Sequence, residues 1–597
     1  MSRFLIGIDL GTTNTVLSYI DTEQETSGQI NLFPVPQIVA PGEVAERNLL
    51  PSFIYITTEH EKKAGGLNLP WDPFGERVVG EYARKRGAEV PGRLISSAKS
   101  WLCHKGVDRT APILPLEASE DVQKLSPIAS SATFLRHLKA AWNHSIGKET
   151  GANIEEQEIY LTIPASFDAV ARELTLQAAR SAGFENITLL EEPQAAFYAW
   201  LHANQETWKD LIKPGDLILV CDVGGGTTDF SLIRVTDEDG ELGLKRLAVG
   251  DHLLLGGDNM DLALAYYVSE ELKKKGTKLD RMQFQVLIHA TRLAKEQLLS
   301  DPSLEQASIV IPGRGTGLVG GTIKTELSRE TVDNILVQGF FPQCGKDEMP
   351  IQRPKTGLQE LGLPYVDDTA ITKHLAAFLA TSHLSNNEVP TAILFNGGVF
   401  KSELLRNKLF EVIQKWEDQE QPTIKELANP DMDLSVSLGA AYFGLVSKGE
   451  GLKIRGGIAR SYYLGIESSR PAVPGLPPEI KALCIVPQGM EEGESIQVPD
   501  KTFGLLVGQT VEFLFLASRT RQDDKPGDII EDWEDSIEQV SKVQTSLDSP
   551  DIEPGTLIPV QIEAELTEIG TLAIYLVSKE HDQRFKLEFN VRDGGEA

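Results

Sequence analysis

Cysteine is scarce in this chain: four residues in 597, at Cys103, Cys221, Cys344 and Cys484. They are widely separated and no two form a Cys-x-x-Cys pair, which argues against a disulfide scaffold and a thiolate zinc site. Long apolar runs are missing too. The stretch before Asp9 is too short for the core of a signal peptide, and no other stretch can cross a bilayer. A cytoplasmic protein without membrane contact is expected. Positive charge is in deficit, with 57 Lys and Arg against 87 Asp and Glu and a formal net charge of −30. Nucleic-acid phosphates would be repelled by such a surface, so no nucleic-acid partner is expected. No Gly-x-x-x-x-Gly-Lys-Ser/Thr occurs, since Gly147-Lys148 is followed by Glu149, and a P-loop is set aside.

The remaining composition, 41% hydrophobic and 24% charged, is that of ordinary globular domains, and the length calls for about two to four of them. Two clusters stand out: Ile8-Asp9-Leu10-Gly11-Thr12-Thr13-Asn14 and Cys221-Asp222-Val223-Gly224-Gly225-Gly226-Thr227-Thr228-Asp229. Each follows an apolar run and precedes an alternating one, which reads as strand, turn, strand. Glycine lets the turn bring several N–H groups against an anion, and threonine hydroxyls add donors. The aspartate before each turn would repel phosphate but hold a hydrated Mg²⁺. A single Asp-x-Gly is usually an ordinary hairpin. Two matching copies roughly two hundred residues apart instead suggest a metal–nucleotide held between two lobes, because that spacing is too long for a solenoid repeat.

Along the chain, strand and helix patterns alternate as in α/β folds. Helical patterns run through Arg93 to Cys103, Thr133 to Ser145, Ala169 to Ala182, Asn259 to Lys275, Met282 to Leu299, Thr369 to Ser382, Ser402 to Trp416 and Ser435 to Val446. Strands are expected at Tyr160 to Ile163, Ala307 to Pro312, Gly321 to Leu327 and Ala392 to Phe395. From Leu452 the texture becomes short strands with Gly/Pro turns, a separate β domain, with Asp523 to Glu534 as a solvated acidic loop. Gly315-Thr316-Gly317-Leu318-Val319-Gly320 satisfies a dinucleotide fingerprint. An alternating strand pattern follows it where a helix is required, so it reads as a hairpin tip.

The two clusters, with Glu191-Glu192-Pro193-Gln194-Ala195-Ala196, Gly256-Gly257-Asp258-Asn259-Met260-Asp261, and Asp433 with Gly439-Ala440-Ala441, resemble the Hsp70 (DnaK-type) chaperone family of the actin-like ATPase superfamily. The resemblance implies an α/β, two-lobed actin-like ATPase of duplicated ribonuclease H-like fold, followed by a mainly-β domain similar to the Hsp70 peptide-binding sandwich. It places lobe I at 1–190, lobe II at 191–448 with an inserted upper subdomain at about 258–368, a linker at 449–457 and the β domain at 458–597.

By the same resemblance, Gly11, Thr12, Thr13 and Asn14 face Gly224, Gly225, Gly226 and Thr227 across the phosphates, while Asp9, Glu192 and Asp222 position Mg²⁺. Lys99 matches the catalytic lysine, its alternative being a surface lysine on a helix; Thr227 joins the catalytic set. Gly256, Gly257, Lys295, Gly397, Gly398 and Asp433 line the nucleotide. ATP/ADP and Mg²⁺ are the implied cofactors, with K⁺ as an optional second ion. Asp229 reads equally as a carboxylate near the attacking water or as a strand-end polar residue.

The sequence departs from the family on the adenosine side. Val399 and Leu299 stand for usual serines and Arg292 for a usual glutamate, which weakens adenine-specific bonding. The leucine-rich linker is replaced by Gly449-Glu450-Gly451-Leu452-Lys453-Ile454, and only five residues follow Arg592, so no helical lid is expected. The leading expectation is an ATP-hydrolysing chaperone that binds unfolded peptides or a dedicated client, with a J-protein and a nucleotide-exchange factor as possible partners. The alternatives are a nucleotide-binding co-chaperone or scaffold with little turnover, and a small-molecule kinase of the same superfamily.

Overall fold

The computed structural model of the chain describes residues 2–587 apart from 25–27, 105, 117, 119, 239–240, 314–320, 353–361, 383–387, 417–423, 450–453, 456–457, 459, 469–478, 491–492, 500, 519, 522, 548–551, 568–571 and 582. The first cluster closes a hairpin between strands Phe4–Leu10 and Asn14–Asp21, in register from Phe4↔Asp21 to Leu10↔Thr15. A Cβ on Gly11 would collide with the Asn14 carbonyl, so the turn admits only glycine there. The second cluster closes a hairpin between Leu217–Val223 and Thr228–Glu238.

The two hairpins sit in sheets of matching order. In the first, Phe4–Leu10 pairs in parallel with Glu158–Ile163, which pairs in parallel with Ile187–Glu191. In the second, Leu217–Val223 pairs in parallel with Ala392–Asn396, and that strand with Lys425–Leu427. Parallel neighbours require crossover connections, and helices such as Ala169–Ser181 and Glu403–Gln414 supply them. Each sheet has its own apolar core, one around Phe4, Phe134 and Trp142, the other around Phe230, Leu264 and Phe395.

A third core joins the halves. Helices Glu192–Ala203 and Ser435–Ser447 cross so closely that a Cβ on Gly439 would overlap the Ala195 carbonyl. Ser437 Oγ donates to Gly7 O at 3.1 Å, tying the closing helix to the first sheet.

The expected helix through Arg93 to Cys103 is corrected. Pro91 and Gly92 break the backbone there, Leu94–Ile95 pairs as a strand, and only Ala98–Trp101 is helical. A helix precedes it at Glu81–Glu89, and a further one forms at Arg329–Phe340, a stretch for which the sequence gave no expectation. Strands Gln306–Pro312 and Thr322–Ser328 pair antiparallel; the glycine-rich segment between them lies outside the described residues. No helix among the described residues is long and apolar enough to cross a membrane.

Beyond Arg460, two five-stranded antiparallel sheets stack on a shared core that includes Leu464, Phe515, Ile562 and Leu576. In Thr556–Leu566, burial alternates along the last nine residues, the period of a strand with one face inward. Leu102, Val170 and Leu174 of the first half belong to this same core, so the β domain packs on the N-terminal half. Most of the expected linker lies outside the described residues. Its Ile454–Arg455 pairs in parallel with Glu241–Val249 as the outermost strand of the second sheet.

Candidate functional site

The hairpin turns meet across a cleft. A Cβ on Gly225 would collide with Thr13 Oγ1, and one on Gly226 would lie 3.0 Å from Thr12 Cγ2. Thr12 and Thr13 therefore face Gly225 and Gly226, and the glycines keep that approach open. Gly224 N donates to Thr227 O at 2.9 Å, closing the second turn. The helix Gly257–Lys274 is docked onto it: Gly257 N donates to Gly224 O at 3.0 Å and Asp258 N to Gly225 O at 2.7 Å. At Gly397, φ is +83° and a Cβ would strike Val223 O and Asp222 Oδ1, so the backbone presses against the second aspartate. Gly398 faces Asp433, whose carboxylate pairs with Lys401.

Behind the turns lies a carboxylate cluster with one buried cation. Lys99 is only 6% exposed and forms an ion pair with Glu192. Burial alone would lower the Lys99 ammonium, but Glu192 and Asp9 outweigh it and hold it above its usual range. Desolvation pushes Asp222 up to about 8, helped by Glu192 and opposed by the hydrogen bond that Asn396 Nδ2 donates at 2.7 Å. Asp9 is likewise raised, chiefly by desolvation and against the pull of Lys99. One lysine leaves this cluster short of positive charge, the condition a divalent cation satisfies. Among the described residues no three His, Cys, Asp or Glu side chains converge closely enough to bind a metal directly. A fully hydrated ion held through water fits this spacing, and Mg²⁺ retains its water.

The backbone at Ser97, two residues before Lys99, has φ 53°, the one left-handed non-glycine among the described residues. Such strain persists only where surrounding structure enforces it, and it sets the short helix that aims Lys99 at Glu192.

On the nucleoside side, Lys295 and Val399 converge on Gly257, each 3.5 Å from where its Cβ would stand. Lys295 Nζ also pairs with Asp261 Oδ1 at 2.7 Å. Arg292 does not project freely: its guanidinium bridges Asp258 and Asp261. Leu299 packs partly buried against the second core.

Ser52, Thr162, Arg172 and Arg246 were given no role by the sequence, and Asp229 was left between two. Ser52 braces the first turn, its Oγ donating to Gly11 O at 2.7 Å and its N to Thr13 O at 2.8 Å. Thr162 Oγ1 donates to Asp9 Oδ1 at 3.1 Å. Asp229 lies opposite Asp222 in the hairpin register, accepts from Ser166 Oγ at 2.5 Å and faces His252 Nδ1 at 3.4 Å. Arg172 and Arg246 both hold Glu191, the neighbour of Glu192, and so clasp the two halves. Only the Asp229 position carried a signal, through its place in the repeated motif. The others are long-range contacts with no local pattern.

Two mixed sheets of matching strand order thus present hairpin turns that face each other beside a carboxylate cluster. Residues 71–348 match the family model described as Hsp70 protein. The chain is 32% identical over 320 residues to the chaperone protein HscA of Cronobacter sakazakii, covering 51% of this chain and 44% of that protein. It is 32% identical over 324 residues to HscA of Klebsiella pneumoniae, covering 52% and 44%, and 29% identical over 310 residues to an HscA homolog of Pseudoalteromonas atlantica, covering 50% and 42%. Over its first part the chain is thus similar to Hsp70-family chaperones, and it spans less than half the length of these curated relatives.

Proposed function

We propose that this chain is an Hsp70-type chaperone that hydrolyses ATP to ADP and phosphate and couples that cycle to peptide or client-protein binding. The observation that supports it best is the pair of facing turns beside a carboxylate cluster short of positive charge. In this reading the N–H groups and hydroxyls of Gly11 to Asn14 and Gly224 to Thr227 receive the phosphates from two sides. Asp9, Glu192 and Asp222 hold the waters of Mg²⁺, which supplies charge neutralisation on the phosphoryl oxygens. Lys99 contributes a fixed cation whose position Glu192 and the Ser97 backbone maintain. Thr227 and Asp229 orient the attacking water. Gly256, Gly257, Lys295, Gly397, Gly398 and Asp433 form the nucleoside wall, with K⁺ an optional ion beside the carboxylates.

The β domain takes extended peptide through backbone hydrogen bonds and an apolar pocket. Its link to the nucleotide runs through Arg460, whose Nη2 donates to Ser166 O at 3.0 Å while Ser166 Oγ reaches Asp229. A J-protein, an exchange factor and a cytoplasmic setting belong to the same reading.

Single-turnover ATP hydrolysis tests the central claim. Asp9→Asn and Lys99→Ala should each cut the rate at least about a hundredfold while nucleotide still binds. Nucleotide binding without turnover in the unaltered protein would leave only the co-chaperone or scaffold function, and phosphate transfer to a metabolite would make it a kinase. Arg460→Ala should hydrolyse ATP normally but lose ATP-dependent release of a fluorescent peptide.

A further inference from the structure

A cavity of about 780 Å³ opens between the second lobe and the β domain. Its size falls in the range of specific ligand sites. One wall is apolar, built on Phe230 and Phe378, whose rings stack at 5.8 Å, with Met349 at the rim. The opposite wall is the turn carrying Glu534 and Asp535, both exposed. That turn is held rigidly: Ile537 N and Ser536 N donate to Trp533 O at 2.9 and 3.1 Å, and Ser518 Oγ donates to Ser536 O at 2.6 Å.

Among the described lining residues the formal charges are all acidic, with His374 the one titratable base. Asp251 and Glu538 also line it, and no lysine or arginine does among the described residues; Arg460, outside the lining, pairs with Glu538. Gln488 adds a second requirement. Its backbone N is fixed to Ser461 Oγ at 3.0 Å, yet its Oε1 is buried without a hydrogen-bond partner. Turning that amide toward an incoming donor breaks no bond made by Oε1, and leaving it unmet costs free energy. Acidic groups on a fixed turn, an unsatisfied acceptor and an apolar wall together select a cationic group next to a large apolar one.

We propose that this interdomain cleft binds a basic peptide segment carrying a large apolar side chain, at a site distinct from the peptide groove of the β sandwich. Bound there, such a segment touches both domains and favours the arrangement in which they pack together.

Fluorescence anisotropy with labelled Arg-Phe-Arg-Phe, against the full chain, tests this. Glu534→Gln with Asp535→Asn should weaken binding at least about tenfold, and Gln488→Leu should weaken it severalfold. Glu270→Gln with Glu271→Gln, on the distant helix Gly257–Lys274, should change it less than about twofold, and Glu-Phe-Glu-Phe should not bind. Equal losses from both acidic pairs would reduce the binding to unspecific attraction by a chain of charge −30. Displacement of the probe by a neutral leucine-rich peptide would move it to the sandwich groove, and unchanged affinity in all variants would remove the site. Each of these three results overturns the proposal. Circular dichroism of the variants checks that each still folds.

Discussion

His137 shows how one side chain ties stability to pH. It lies on the helix Pro127–Trp142, is 9% exposed, and donates from Nε2 to Pro36 O at 2.9 Å, with Trp71 edge-on at 5.8 Å. Burial lowers its pKa to about 4 from an ordinary 6.5. The unfolded chain therefore takes up a proton below about pH 6.5 that the folded chain refuses. The stability from keeping it neutral is full above that pH and is lost as pH falls toward 4, by on the order of 3 kcal/mol. Urea unfolding across this range should show the loss, and His137→Gln, which keeps a donor for Pro36, should flatten it. Asn396 acts at the same scale. Removing its hydrogen bond to Asp222 by Asn396→Ala should raise the Mg²⁺ concentration needed for half-maximal hydrolysis about tenfold, since outer partners tune metal affinity.

Among elements, the crossing of Glu192–Ala203 and Ser435–Ser447 decides whether the lobes can join. A Cβ at Gly439 meets the Ala195 carbonyl and comes within 2.9 Å of Ala199 N. Gly439→Val should cost on the order of 3 kcal/mol, read as a lower Tm by calorimetry. Gly339, within the helix Arg329–Phe340, has open space around its Cβ position, and Gly339→Ala should stabilise by about 0.5 kcal/mol or more. Two glycines in helices thus have opposite consequences. The Ala169–Ser181 helix and both hairpins were legible in advance because their periodicity is local. Glu538–Ser546, with only Val540 and Val543 apolar in its sequence, became a strand because Thr510–Ser518 offered it an edge to pair with.

At the scale of the whole molecule, nucleotide should act as a clamp between lobes. A ligand that binds only the folded, closed chain stabilises it by about 2.7 kcal/mol at a hundred times its dissociation constant. Differential scanning fluorimetry should show a higher Tm with Mg²⁺ and ATP, with most of the gain removed by EDTA, because the carboxylate cluster then keeps its uncompensated charge. The Arg172–Glu191–Arg246 clasp should mute the gain when Arg246→Ala loosens the lobes. The β domain shares its core with Leu102, Val170 and Leu174, so a perturbation at the nucleotide has a packed route to the sandwich.

The sequence by itself determined the twin turns, the acidic residues before them and the change of texture near Leu452. Each depends on residue type and short-range spacing, which backbone conformation reads directly. Only the tertiary structure decided that Ser52 braces the first turn, that Ser166 links Arg460 to Asp229, and that Ile454–Arg455 joins a sheet whose hairpin begins over two hundred residues earlier. Those partners are distant along the chain, and their pairing is set by how whole sheets and helices pack, a property no local pattern encodes.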